Sequence, residues 1–243
     1  MKIGVTERGD HSLDFSWVKK MDSVDAAILI TKNLSDKVLS AAEPFFDKLK
    51  FHVTCTGYGG TKVEPNIPGP DSQLQQTLKL VNSGFPHDRI VIRVDPIIPT
   101  ERGLQRARGV IACFAEAGFH VYRVSLIDMY PHVRQRFKDN KLPRPYLESF
   151  EPFALHFSHV DEMLKEVKTE HPGIRIESCA EPQLKEAERV GCVSECDAAQ
   201  FGLQIPARTR NRQRKDCLCC SAKTELLSDK KQCAYGCLYC YWK

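Results

Sequence analysis

Five apolar runs, at 26–31, 51–56, 90–95, 121–127 and 174–177, alternate with helix-like stretches at 34–50, 71–83, 104–117 and 158–169. This alternation leaves few folds open. Parallel neighbours need a crossover of a dozen or more residues, and a helix supplies it. Right-handed crossovers curl such a sheet, so the expectation is an α/β chain forming a partial or complete TIM-like barrel. With 243 residues, 42% of them hydrophobic, the chain has the material for one such core.

Strand parity adds a second constraint, because residues two apart share a face. Ile90, Ile92 and Val94 oppose Val91, Arg93 and Asp95. Tyr122, Val124 and Leu126 oppose Arg123 and Ser125. Ile174 and Ile176 oppose Arg175 and Glu177, and Phe51, Val53 and Cys55 oppose His52, Thr54 and Thr56. A parallel strand buried on both faces reads as a nearly continuous apolar run. These strands do not. The apolar set must face the helices, which turns Arg93, Asp95, Arg123, Ser125 and Glu177 inward as candidate catalytic residues. A charged interior is costly unless it is wet, holds a polar ligand or is closed as an ion-pair network.

In α/β folds the C-terminal strand ends carry the site. Here those ends hold Thr56-Gly57-Tyr58-Gly59-Gly60, Arg93-Val94-Asp95, Ser125-Leu126-Ile127-Asp128 and Glu177-Ser178-Cys179-Ala180-Glu181. Gly57, Gly59 and Gly60 either let the backbone approach a cofactor or make a plain turn. The prolines near 65–70, and those from Pro131 to Pro145, mark long loops, the second covering 130–151.

The pattern changes after Ala180. The division expected is a barrel core over 1–180 and a cysteine-rich iron–sulfur arm over 181–243, folded over the barrel mouth. Nine of the eleven cysteines lie from Cys179 to Cys240. In a reducing compartment such crowding means metal or catalysis rather than disulfides. Cys55 and Cys113, alone in apolar stretches, are packing residues. Cys233, Cys237 and Cys240 follow a C-x3-C-x2-C spacing with Tyr239 before the third cysteine. Three close thiolates can hold a [4Fe–4S] cluster and leave one iron open to a ligand. A second set of four, for zinc or another Fe–S cluster, is best drawn from Cys179, Cys192, Cys217 and Cys219, since adjacent Cys219 and Cys220 do not share one ion comfortably.

The basic run 208–215 either touches nucleic-acid phosphates, balances a thiolate cluster, or is a solvated loop. The net charge of +4 demands no polyanion. No apolar run approaches a membrane span, and the first residues turn polar at once, so a cytoplasmic protein without a signal peptide or membrane partner is expected.

C-x3-C-x-Φ-C, with Tyr239 as Φ, resembles the cluster motif of the radical S-adenosylmethionine superfamily, moved from its usual place near the N-terminus to the end of the chain. The chain as a whole is similar to a bacterial and archaeal domain of unknown function with that arrangement. The resemblance is carried by residues 6–10, 30–33, 56–59, 64–66, 93–96, 179–181 and 213–219 and by the terminal motif. It implies a partial TIM barrel and S-adenosylmethionine chelated to the open iron. It also implies cleavage to a 5′-deoxyadenosyl radical, with a flavodoxin or ferredoxin as the expected electron donor, while the inward residues, Arg93 and Arg123 among them, point to a small polar or anionic substrate. By position, Tyr239 would pack near the adenine and Gly59-Gly60 would meet the methionine amino group. Thr61 stands where the superfamily often has an acid. The alternative is a non-radical Fe–S or zinc protein, binding or repairing nucleic acid.

Overall fold

All five strand-like runs become strands, and three shorter ones join them. The computed structural model describes residues 1–143, 153–205, 218, 223–227 and 233–242. The strands are β1 (Ile3–Val5), β2 (Ala26–Thr31), β3 (Leu49–Thr54), β4 (Ile90–Ile97), β5 (Val121–Leu126), β6 (Arg175–Cys179), β7 (Glu188–Val190) and β8 (Lys223–Glu225). They form one sheet in the order β7-β6-β5-β4-β3-β2-β1-β8, and every pairing is parallel. The sheet curls into a half-barrel. Among the described residues no pairing joins β7 to β8, so the partial barrel, not the complete one, is the outcome. Both edge strands, β7 and β8, come from beyond residue 180.

The helices are α1 (Asp36–Ala42), α2 (Pro70–Asn82), α3 (Glu101–Glu116), α4 (Pro131–Asp139), α5 (Phe153–Glu170) and α6 (Glu195–Ala199). The helix expected over 34–50 is shorter. Pro44 cannot donate to the preceding turn, so the chain tightens into a 3-10 helix over Glu43–Lys48, and β3 starts at Leu49. The segment expected as a loop from 130 holds α4, because Pro131 occupies its first turn, where no amide hydrogen is needed. Residues 144–152 of that loop lie outside the described set.

The parity argument holds on the convex side. Phe51, Val53, Ile92, Val94, Val124 and Ile176 pack with Leu80, Ile111, Phe114, Leu164 and Val167 of the helices in one apolar core. Fully burying each such side chain contributes about 1.5–3 kcal/mol. Cys55 belongs to this core, as expected of a packing residue. On the concave side, toward β1 and β2, Ile3, Val5 and Ile28 meet Val193 and Ala198. There α6 is seated inside the curl, started by a capping box in which Ser194 and Asp197 satisfy each other's backbone. Among the described residues, no helix is long and apolar enough to cross a membrane.

Candidate active site

Register puts the polar residues of the concave face in a row. Thr54 pairs with Arg93, Arg93 with Arg123, and Arg123 with Glu177. The deeper part of this face is closed. The Arg123 guanidinium donates from Nε to Glu177 Oε2 at 2.9 Å, from Nη2 to Asp197 Oδ2 at 3.1 Å, and from Nη1 to the Cys192 carbonyl at 3.1 Å. Lys50 Nζ reaches Asp197 Oδ1 at 2.7 Å and donates to Gln200 Oε1 at 2.7 Å. Arg123, Glu177, Asp197 and Lys50 are each at most 2% exposed. Burial opposes the Arg123 charge, but Asp197 and Glu177 outweigh it and raise its pKa. Burial likewise opposes the Asp197 carboxylate, and Arg123 and then Lys50 hold it well below the usual range. His52 sits among these groups, fully buried. Burial first, then the Arg123 charge, push it well below the ordinary histidine value.

The outer part of the same face is half open. Arg93 pairs with Asp95, and the Ser125 hydroxyl bonds the other Asp95 oxygen. The side chains of Arg93 and Asp95 keep 20% and 27% exposure. Beside them Cys179, at the end of β6, lies 3.6 Å from Cys192, sulfur to sulfur. The hydrogen bond with Cys192 lowers the Cys179 thiol to about 7 against the effect of burial, with Arg93 and Arg123 assisting. The chain turns at once after Cys179 through Ala180, which holds a left-handed φ of 62°. Non-glycine residues rarely adopt that conformation, and it is concentrated at functional sites. The five candidate catalytic residues therefore share a face but divide in two: Arg123 and Glu177 in the closed network, Arg93, Asp95 and Ser125 at its open rim.

The C-terminal strand ends receive the last described segment, 233–242. Leu238 N donates to the Val63 carbonyl at 3.0 Å. The Asn66 amide donates to the Ala234 carbonyl at 3.1 Å. Arg136 donates to the carbonyls of Cys240 and Trp242 at 2.7 and 2.8 Å. The Tyr235 hydroxyl meets Ser12 Oγ at 2.5 Å. At the centre is Glu64, wholly buried. It accepts from Lys32 Nζ at 3.0 Å, from Thr56 Oγ1 at 2.7 Å and from the Tyr239 hydroxyl. Lys32 also stands over the Tyr239 ring, 5.3 Å from its centroid. Burial lowers the Lys32 pKa, but the Glu64 carboxylate and then Cys237 outweigh it and raise it. Burial pushes the Cys237 thiol up to about 12 even with Lys32 beside it.

Cys233, Cys237 and Cys240 are half-buried on two successive turns, closed by Gly236 N to the Cys233 carbonyl and Cys240 N to the Cys237 carbonyl. As donors they fit a cluster in kind: three thiols on one short segment, next to the partly buried cation Lys32. Among the described residues no three His, Cys, Asp or Glu side chains gather as they would around one ion. A cubane cluster bonds each cysteine to a different iron, so its ligands need not gather so closely. A hollow of about 200 Å³ adjoins the motif, lined by Arg8, Gly9, Asp10, Leu13, Cys233, Ala234 and Trp242. That is smaller than the roughly 300–1,000 Å³ of most ligand pockets.

Of the three glycines singled out, Gly59 has its clearance taken by the chain itself: a Cβ there would lie 2.0 Å from the Pro68 carbonyl oxygen. Gly60 faces open space, and the Gly57 carbonyl accepts from Arg106. Thr61 makes the turn that delivers Glu64, its hydroxyl bonding the Tyr58 carbonyl at 2.7 Å. Cys217, Cys219 and the basic run 208–215 lie outside the described residues. Sequence reasoning passed over Glu64, Lys32, Lys50, Asp197 and Arg136. The stretches 30–33 and 64–66 did carry a signal, and Ser194-x-x-Asp197 is a capping-box pattern.

A family model described as a domain of unknown function, DUF1848, matches residues 13–242. The chain belongs to the DUF1848 family. No curated protein and no solved structure matches it. For this DUF1848 chain, then, the family fixes no activity, and the chemistry has to come from the site.

Proposed function

We propose that this DUF1848 chain is a radical S-adenosylmethionine enzyme, with a [4Fe–4S] cluster on Cys233, Cys237 and Cys240, acting on a polar substrate at the mouth of the half-barrel. The observation that carries the reading is the seating of the C-x3-C-x2-C segment. It is held on the C-terminal strand ends by Val63, Asn66, Arg136 and the buried Glu64, where α/β folds do their chemistry. When bound and reduced, such a cluster supplies an electron to the sulfonium of S-adenosylmethionine, yielding methionine and a hydrogen-abstracting 5′-deoxyadenosyl radical.

The chain's own residues have defined tasks in this reading. Lys32 lies beside Cys237 and offsets thiolate charge. Glu64 is a positioning residue: it fixes Tyr239 and Lys32 together and so sets where the motif rests. The open side of Gly60 gives a polar amine room to reach backbone. Arg93, steadied by Asp95 and Ser125, is the charged group that would meet an anionic substrate. A small reductant such as a flavodoxin or ferredoxin completes the scheme.

The test is anaerobic reconstitution with iron and sulfide, followed by reduction in the presence of S-adenosylmethionine. Formation of 5′-deoxyadenosine is the expected result, lost in Cys237→Ala while the far-UV circular dichroism is kept. An intact cluster by EPR that yields no 5′-deoxyadenosine overturns the radical reading. Zinc without iron in anaerobically purified protein favours the non-radical metal protein instead.

A further inference from the structure

We propose that the outer face of α4 is the docking surface for an acidic one-electron carrier protein of the flavodoxin class, seated on Arg134, Lys138 and Lys141. The inference rests on the cluster reading above and adds where its reductant binds.

The first observation is what α4 touches. Its inner residues Val133 and Phe137 pack in one apolar cluster with Leu238 and Tyr239 of the cysteine motif. Arg136 bonds the carbonyls of Cys240 and Trp242 at 2.7 and 2.8 Å. The opposite side of the same helix meets water. Arg134 and Lys138 are exposed there, and so is Lys141 just past the helix end. A partner on that side stands one helix diameter, about 10–12 Å, from the motif.

The second observation is charge without compensation. Arg134, Lys138 and Lys141 stand at spacings of four and three, which line up along one helix face. Several surface cations of the other helices have carboxylate partners: Lys79 has Asp36 at 2.6 Å, Arg108 has Glu166 at 3.1 Å, and Lys168 has Glu186 at 3.0 Å. Among the described residues no carboxylate pairs with Arg134, Lys138 or Lys141. The acid of α4, Asp139, accepts from the Gln135 amide instead. Lys141 adds a backbone sign of its own. Helix α4 ends in a Schellman turn, with Leu142 N donating to the Phe137 carbonyl and Lys141 N to the Lys138 carbonyl, both at 3.0 Å. That turn needs a left-handed residue, usually glycine. Lys141 takes the place with a φ of 54°, so a charged side chain stands where glycine is less strained.

The occupant follows from size, charge and place. The stripe from Arg134 to Lys141 is about 10 Å long. That suits the small, transient contacts of electron-transfer encounters and is short for a nucleic-acid track, which draws its affinity from many phosphates. A patch of one sign steers a partner of the other sign and speeds its association. The stripe also lies on the helix that grips the cysteine motif, where electrons have to arrive. In the step itself the carrier is oxidised by one electron and the group held by Cys233, Cys237 and Cys240 is reduced by one. No bond to the chain forms or breaks, and no proton has to move.

The experiment uses the reconstituted full chain and an acidic flavodoxin, at low and at high salt. Binding should be tighter at low salt, and the triple reversal Arg134→Glu, Lys138→Glu, Lys141→Glu should weaken it roughly tenfold or more. The bimolecular rate of cluster reduction by reduced flavodoxin should fall with it and lose its salt dependence, while reduction by dithionite stays unchanged. Lys141→Gly guards against a folding defect: it should keep or raise the melting temperature and still slow reduction by flavodoxin about twofold at low salt. No flavodoxin binding to the wild type at low salt overturns the proposal, as do an affinity and rate that survive the triple reversal. Stripe-dependent binding of a single-stranded oligonucleotide, tighter than that of flavodoxin, overturns it in favour of nucleic acid. Binding is read without the cluster, so a chain that assembles no iron still decides the dock. A chain that dithionite reduces but that yields no 5′-deoxyadenosine loses the radical reading and keeps the dock.

Discussion

The floor and the mouth of the half-barrel are both lined with charge, yet they are built on opposite plans. On the floor, Arg123, Glu177, Asp197 and Lys50 come from three strands and α6 and are almost wholly buried. Each has charged partners, and the Asp197 carboxylate also caps α6. At the mouth, Arg93 and Asp95 keep a fifth to a quarter of their surface, two thiols stand 3.6 Å apart beside them, and the terminal segment is pinned mainly through its carbonyls. Inward charge is therefore two different things in one sheet. A closed network holds α6 in the curl, while the rim groups keep part of their surface in water beside two thiols. Burial of a charge by itself therefore does not separate the candidate catalytic residues into two groups, whereas incomplete closure does.

The largest effect should come from breaking the floor. Arg123→Met leaves Glu177 and Asp197 buried without their main cation, which should cost about 3–5 kcal/mol. The matching change at the mouth, Arg93→Met, should cost about 1 kcal/mol or less in stability, since the pair is partly exposed, but should abolish substrate turnover. Urea unfolding of the two variants measures the contrast; equal losses of stability would erase the distinction between floor and mouth.

Glu64 tests whether the mouth has a buried anchor of its own. Glu64→Ala strands Lys32, Thr56 and the Tyr239 hydroxyl at once, and should cost about 2–3 kcal/mol. The loss should be local: faster proteolysis at 233–242 and reduced iron content, with the half-barrel's circular dichroism retained. Glu64→Gln, which keeps the acceptor oxygen, should recover part of the iron. A variant with full iron and an unchanged cleavage pattern would remove Glu64 from the docking role.

How much of this was legible follows from the range of each interaction. The parity of β4 and β5 announces which side chains leave the helix face, because alternation is local, and the C-x3-C-x2-C spacing is equally local. β1, β7 and β8 are three residues each, too short to show a period. They are strands because neighbouring strands of the sheet pair with them. Pro131 reads as a loop residue until its place in the first turn of α4 is known. The Glu64 contact with Tyr239 spans 175 positions, and Lys50 reaches Gln200 across 150. No window along the chain could join these. Even the two-part division of the inward residues depends on α6, a helix of five residues whose only local sign is its capping box.

The floor also has a pH signature. His52 is buried and neutral, with its pKa held well below the ordinary value by burial and then by Arg123. Unfolding lets it take a proton below about pH 6.5. The unfolded chain then binds more protons than the folded one, so stability is full above that pH and falls below it, by up to about 1.4 kcal/mol per pH unit for this histidine. His52→Gln should flatten the slope between about pH 6.5 and 5 by that share. An unchanged slope in chemical denaturation series would mean that His52 is protonated in the fold.

The smallest effect should come from Arg136, whose guanidinium bonds, among the described residues, the carbonyls of Cys240 and Trp242. Arg136→Ala gives those carbonyls back to water at the half-buried edge of the site, for about 1 kcal/mol in total. Its value lies in the direction of the change. If the terminal segment is held by many weak backbone bonds around one buried carboxylate, Arg136→Ala should raise the hydrogen-exchange rate at 237–242 severalfold while leaving Val63 and Glu64 protected. If exchange at Val63 and Glu64 rises as well, the mouth opens as one unit, and its plan is closer to that of the floor.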